Sequence, residues 1–168
     1  MTALATIHAP GQDLPGLIER AAAMLSGAKT AAEVLEAREA AGLAYDIAKR
    51  AARLKSAKAA HDDLVAAANR AQADALEIEA AAKRRLADEY DAAQARGEVK
   101  RNGGNRSSVE DHNTASTADL GLRRDQIHEA RQLRDAENAE PGIVRRTLDE
   151  RLEHGEEPTR AALRKMVT

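Results

Sequence analysis

From Leu43 to Arg96 the chain runs for 54 residues without a glycine or a proline. Glycine and proline are the residues that most readily interrupt a helix. This run is filled instead with Ala, Leu, Glu, Lys, Arg and Gln, which are strong helix formers. As one helix it would reach roughly 80 Å at 1.5 Å per residue. The charges favour a fold-back. Lys49, Arg50, Arg53, Lys55 and Lys58 follow one another without an intervening acid, as a helix C-terminus prefers, and Asp62-Asp63 then suits a helix N-terminus. The pattern predicts a break between Leu54 and His61, with a single extended helix as the alternative.

Beyond that break an apolar stripe recurs at steps of three and four: Leu64, Ala68, Ala71, Ala75, Ile78, Ala82 and Leu86, with Tyr90 close to it. Small residues on such a seam let two helices approach closely. One reading is an antiparallel hairpin that buries the stripe within the chain. The other is an intermolecular coiled coil, in which these seven residues form a dimer interface. Composition favours association. Hydrophobic residues make up 43% of the chain, but much of that is alanine, and Tyr45 and Tyr90 are the only aromatic residues. Alanine removes little apolar area from water, so a core made of it is thin, and a homodimer would add buried surface.

Upstream, the first twelve residues end in Ala9-Pro10-Gly11 and are expected as a loose tail. Asp13 and Pro15 suit the start of a short helix whose apolar face is Leu17, Ile18, Ala21 and Leu25, closed by Ser26-Gly27. Thr30-Ala31-Ala32-Glu33 has the form of a capping box. Downstream, Gly97 ends the long helical region, and Asn102-Gly103-Gly104-Asn105-Arg106-Ser107-Ser108 is a flexible linker whose polar character continues to Asn113. The expected organisation is all-α: a disordered tail over 1–12, a helical hairpin or coiled-coil assembly region over 13–97, a basic and polar linker over 98–113, and a small helix-turn-helix bundle over 114–168.

The C-terminal expectation rests on Thr117-Ala118-Asp119-Leu120-Gly121-Leu122 and the helix behind it. A helix-turn-helix needs a residue that tolerates a left-handed backbone between its two helices, flanked by apolar side chains. Gly121 between Leu120 and Leu122 meets that need. Ile127, Ala130 or the stem of Arg131, and Leu133-Arg134 then continue the inner face of the second helix. Its outward leading residues are Arg123, Arg124, Gln126, His128 and Glu129. Arg and Gln are the types that pair with guanine and adenine edges. Pro141 next opens a helix with Val144, Leu148 and Leu152 on one face; Gly155 ends it, and Glu157-Pro158-Thr159 starts a last helix with Ala162, Leu163 and Met166 inward.

This order of elements, from Arg123 to Met166, resembles the helix-turn-helix domain of ParB/KorB-type plasmid partition proteins. The whole chain is similar to helical bacterial proteins encoded by phages and mobile elements, in which an Ala/Glu/Arg-rich hairpin precedes a glycine-rich linker and an "ADLG-[IL]" element. Thr117 to Leu122 match that element, and Ala80-Ala81-Ala82-Lys83-Arg84-Arg85-Leu86 resembles the end of the hairpin. The chain departs from partition proteins in lacking their N-terminal nucleotide-binding domain and its arginine motif. The resemblance implies double-stranded DNA as partner. It makes Arg123, Arg124, Gln126, His128 and Arg131 the candidate base and phosphate contacts, with Lys100, Arg101 and Arg106 as a flexible basic arm. The competing reading has Arg123, Arg124 and Arg131 solvated and paired with Asp119, Asp125 and Asp135.

The remaining chemistry is sparse. Net charge is −2, so any DNA contact must come from a local patch. Without cysteine, disulfides and thiolate zinc sites are excluded, and a reducing cytoplasm fits. The five histidines, at 8, 61, 112, 128 and 154, show no metal-ligand spacing. Gly103-Gly104 lacks the lysine of a phosphate loop, and single-strand stacking lacks its aromatic platforms. No segment approaches eighteen consecutive apolar residues, so neither secretion nor membrane spanning is expected. The sequence therefore predicts a non-enzymatic, cytoplasmic duplex-DNA-binding protein of phage or plasmid type, regulatory or partition-like, without cofactor or metal, assembling through its N-terminal helices. The alternative is a helical adaptor or inhibitor that binds a host protein.

Overall fold

Helix signals in the sequence place six helices, and no strand element, among the residues that the computed structural model describes, 13–58, 61–99 and 122–168. They are α1 (Leu14–Gly27), α2 (Ala31–Ala57), α3 (Asp62–Ala95), α4 (Arg124–Ala139), α5 (Ile143–Glu153) and α6 (Arg160–Met166). None of them is long and apolar enough to cross a membrane.

Local chemistry explains most of the boundaries. The Thr30 hydroxyl accepts from the Glu33 N–H at 3.2 Å, and the Glu33 carboxylate accepts from the Thr30 N–H at 3.2 Å, so both halves of the capping box form. Backbone N–H groups of Lys29 and Thr30 on that carboxylate hold the Glu33 pKa below the usual carboxylate range. At α1, Asp13 occupies the cap position but its side chain makes no capping hydrogen bond. Gly97 (φ +77°) ends α3, where the Glu98 N–H donates to the Ala93 carbonyl at 3.0 Å. Pro141 does not open α5 itself. Gly142 follows it at φ +82°, and the helix starts one residue later with a borrowed cap: the Glu137 carboxylate of α4 accepts from the N–H groups of Gly142 (2.9 Å) and Val144 (3.3 Å).

α2 and α3 lie antiparallel. Val34, early in α2, packs with Ala82 and Leu86, whereas Tyr45, later in α2, packs with Ala73 and Leu76. The seam Leu64 to Leu86 is therefore filled from within the chain. Ala68, Ala75, Ala82 and Leu86 are buried, Ala71 and Ile78 are half-buried, and Leu64 alone stands exposed at 48%. The buried members of the stripe are thus covered by their own chain, whereas Leu64 is left exposed.

α4, α5 and α6 rest on the same pair of helices. Leu133, Val144, Leu148 and Leu163 join Ala44, Tyr45, Ala75 and Leu76 in one core. Thus the described part of the 114–168 segment shares its core with α2 and α3. Charge pairs reinforce the seat: Lys83 to Glu129 (2.8 Å), Arg84 to Glu137 (3.2 Å), and Arg145 to Asp74 (2.8 Å) and Glu77 (3.0 Å). The turn at Gly121, its flank Leu120, the carboxylate of Asp119 and the basic arm of Lys100, Arg101 and Arg106 lie outside the described residues.

Candidate nucleic-acid interface

The leading end of α4 is set by one buried anchor and one local hydrogen bond. Leu122 packs with Tyr90, Val99 and Ile127. Arg123 follows with an extended backbone (φ −87°, ψ 153°), and its N–H donates to the Gln126 Oε1 at 2.9 Å. A guanidinium carries no acceptor, so this is only the glutamine half of a capping box. Gln126 is thereby half-committed to the helix start. Ile127, Ala130 and Leu133 face inward and hold the helix against α3.

The outward side carries Arg123, Arg124, Asp125 and His128, all exposed. Arg123 pairs with Asp125 at 3.3 Å, but the two side chains are 75% and 68% exposed, and a surface pair of that kind contributes about 0–1 kcal/mol. Arg124 and His128 have no hydrogen-bond or ion-pair partner among the described residues. Arg131, expected as a fifth contact, is directed elsewhere. Its Nε donates to the Asp91 carboxylate at 2.9 Å, its Nη2 donates to the same carboxylate and to Gln94 (3.2 Å), and the guanidinium sits 5.4 Å from the Tyr90 ring centre. Arg134 grips the same Asp91 at 2.6 Å. Burial works to raise the Asp91 pKa, but the hydrogen bonds from Arg131 and Arg134 outweigh it and hold the carboxyl below its usual range. Arg131 thus fastens α4 to α3.

Glu129 is not outward either. It lies half-buried and meets Lys83 (2.8 Å) and Arg164 (3.2 Å). These residues line a polar cleft of about 230 Å³ between the start of α4 and helices α2, α3 and α6. Its walls bring together five cations (Arg38, Lys83, Arg123, Arg160, Arg164) and four carboxylates (Glu39, Glu79, Asp125, Glu129). Glu79 is only 6% exposed and is held by Lys83 (3.0 Å) and Arg160 (2.9 Å), and Arg160 also stacks over Tyr45 at 4.2 Å. Arg38, Arg160 and Arg164 escape a sequence reading because they come from two helices more than a hundred residues apart, α2 and α6, with no common motif. Among the described residues, no group of three or more His, Asp or Glu side chains could hold a metal ion.

Comparison with protein-family models, with curated proteins and with solved structures finds no match to this chain.

Proposed function

We propose that the chain is a non-enzymatic duplex-DNA-binding protein of phage or plasmid type that presents the leading end of α4 to the double helix. One observation carries the proposal. Arg123, Arg124 and His128 stand exposed at one helix end, with no carboxylate of another element on them among the described residues, while the opposite face of α4 is pinned by Ile127, Ala130 and Leu133. Cations presented rigidly at a helix start suit phosphate and base-edge contact. Gln126 contributes through the amide left free by its cap, and Lys100, Arg101 and Arg106 supply phosphate contacts from the chain before α4. Arg131 has no part in the contact.

The test is duplex binding at low salt, followed by fluorescence anisotropy as salt is raised. Arg123→Ala with Arg124→Ala should weaken binding at least tenfold and flatten the salt slope by about 2, since each neutralised phosphate contributes about 0.9. Unchanged binding by the double variant would sink the assignment.

A second reading, a helical adaptor, is favoured by a groove of about 770 Å³ between the start of α3 and the end of α5. Val65, Ala66 and Leu152 give it an apolar floor, and Asp62, Arg70 and Glu153 a charged rim, which suits an amphipathic segment of another protein. Absence of any duplex shift at low salt, with a host protein cross-linked from position 65 and lost on Leu152→Glu, would favour it.

A further inference from the structure

The outward face of α2 carries an apolar pair that no other described residue covers. Leu43 is 57% exposed and Leu54 56%, the highest values among the exposed large apolar residues, with the half-buried Ile47 between them. Eleven residues along a helix is close to three full turns, so Leu43 and Leu54 lie on one stripe, directly opposite the buried face of Ala41, Ala48 and Ala52. The stripe continues into charge at both ends. Glu36 and Glu39 precede Leu43, and Lys58 follows Leu54, all three exposed.

We infer that this face is the homodimer interface, with α2 of a second copy packed antiparallel on it. The stripe is complementary to itself when reversed. Setting Leu43 against Leu54 of the second copy sets Leu54 against Leu43 of the second copy in the same step. The same register lays the Glu36–Glu39 end alongside Lys58 of the second copy, twice over. An isologous contact requires this property: each residue meets a counterpart that meets it in return. A parallel pairing would instead put acids against acids and Lys58 against Lys58, so the charges select the antiparallel arrangement. From Glu36 to Lys58 the stripe is about 33 Å long at 1.5 Å per residue. Arg50 falls opposite Ile47 of the second copy, where its aliphatic stem covers the isoleucine and its head reaches water. Glu39, at one end of the stripe, also lines the cleft at the start of α4, but the inference rests on the stripe itself and stands whether or not the chain binds DNA.

Sedimentation equilibrium of the full chain over a range of concentrations tests it. The wild type should show a reversible species at twice the 18.0 kDa chain mass. Leu43→Glu with Leu54→Glu should raise the dimer dissociation constant at least tenfold with helicity unchanged by circular dichroism, because both positions are on the surface. Glu39→Lys, the position directly opposite Lys58 in this register, should weaken the dimer severalfold, and so should Lys58→Glu, whereas the two together should restore it. A wild type that stays monomeric up to the highest soluble concentration overturns the proposal, and so does a dimer indifferent to the two leucine changes. Failure of the paired charge reversal to restore association overturns the antiparallel register.

Discussion

Glu79 in the middle of α3 and Arg160 at the start of α6, 81 residues apart in the chain, meet at 2.9 Å with the carboxylate almost fully buried. The pair joins the last helix to the first long one, since Arg160 also reaches Asp46 of α2 at 3.3 Å. Removing one partner of a buried pair leaves the other charge uncompensated, at a cost of about 3 kcal/mol. Arg160→Ala should therefore lower unfolding stability by about 2–3 kcal/mol, somewhat less than a bare buried charge because Lys83 still contacts Glu79 at 3.0 Å. Urea titration measures it, and a loss below about 0.5 kcal/mol would show the pair to be an ordinary surface contact.

A shared core predicts shared unfolding. Leu148 of α5 is 0% exposed and packs among residues of α2, α3, α4 and α6. Truncating it to alanine removes apolar contact and leaves a cavity, at a cost of about 3 kcal/mol. The chain has no Trp, so emission from Tyr45 and Tyr90 reports on α2 and α3 while far-ultraviolet dichroism reports on all helices. In Leu148→Ala both signals should move to lower urea together. A tyrosine transition left at its wild-type midpoint would mean that α4–α6 unfold separately.

Local signals were easy to recover from the sequence, and long-range ones were not. The capping box at Thr30 and Glu33 and the left-handed glycines at 97 and 155 depend on neighbours within a few residues. The inward face Ile127, Ala130, Leu133 follows from helical periodicity alone. The stripe from Leu64 to Leu86 shows where this limit lies. Periodicity states that it will be covered and is silent on whether the cover is the same chain or another. The fates of Arg131 and Glu129 were hidden for the same reason: their partners, Asp91 and Lys83, are about forty residues away on a helix whose rotation the sequence does not display.

Thr30→Ala should cost about 1 kcal/mol, because the N-cap hydroxyl satisfies an otherwise orphaned N–H at the start of α2. Thr30→Ser keeps the acceptor and should restore most of the loss. Thermal unfolding followed by dichroism distinguishes the two.

Acid should loosen the seat of α4 on α3 in a predictable direction. In Asp91, Glu129 and Glu137, burial works to raise the pKa. Arg131 and Arg134 outweigh it at Asp91, Lys83 and Arg164 at Glu129, and the N–H groups of Gly142 and Val144 with Arg84 at Glu137, so all three are lowered. A carboxyl with a lower pKa folded than unfolded binds fewer protons in the folded state. Its contribution is therefore complete above the unfolded value and lost as pH falls through the folded one. Stability should accordingly decline as pH drops below about 5, through the carboxylate range. Asp91→Asn should flatten that decline while lowering stability at neutral pH. A variant whose stability falls as steeply with acid as the wild type would remove Asp91 from the linkage.

The division of labour on α4 can be tested by exchanging readouts. Arg131 is bound to Asp91, Gln94 and the Tyr90 ring, whereas Arg124 is bound to nothing among the described residues. A side chain fixed by an acceptor on its own protein has its donors occupied and its charge neutralised, so it offers little to a phosphate. Arg131→Ala should therefore lower stability by about 1–2 kcal/mol, the range for charge-assisted hydrogen bonds, and leave the salt slope of duplex binding where it was. Arg124→Ala should do the reverse, flattening the slope by about 1 with unfolding unchanged. If Arg131→Ala weakens duplex binding more than Arg124→Ala in a protein that is still folded, Asp91 must release its arginine on binding, and α4 then meets DNA by its middle rather than its leading end.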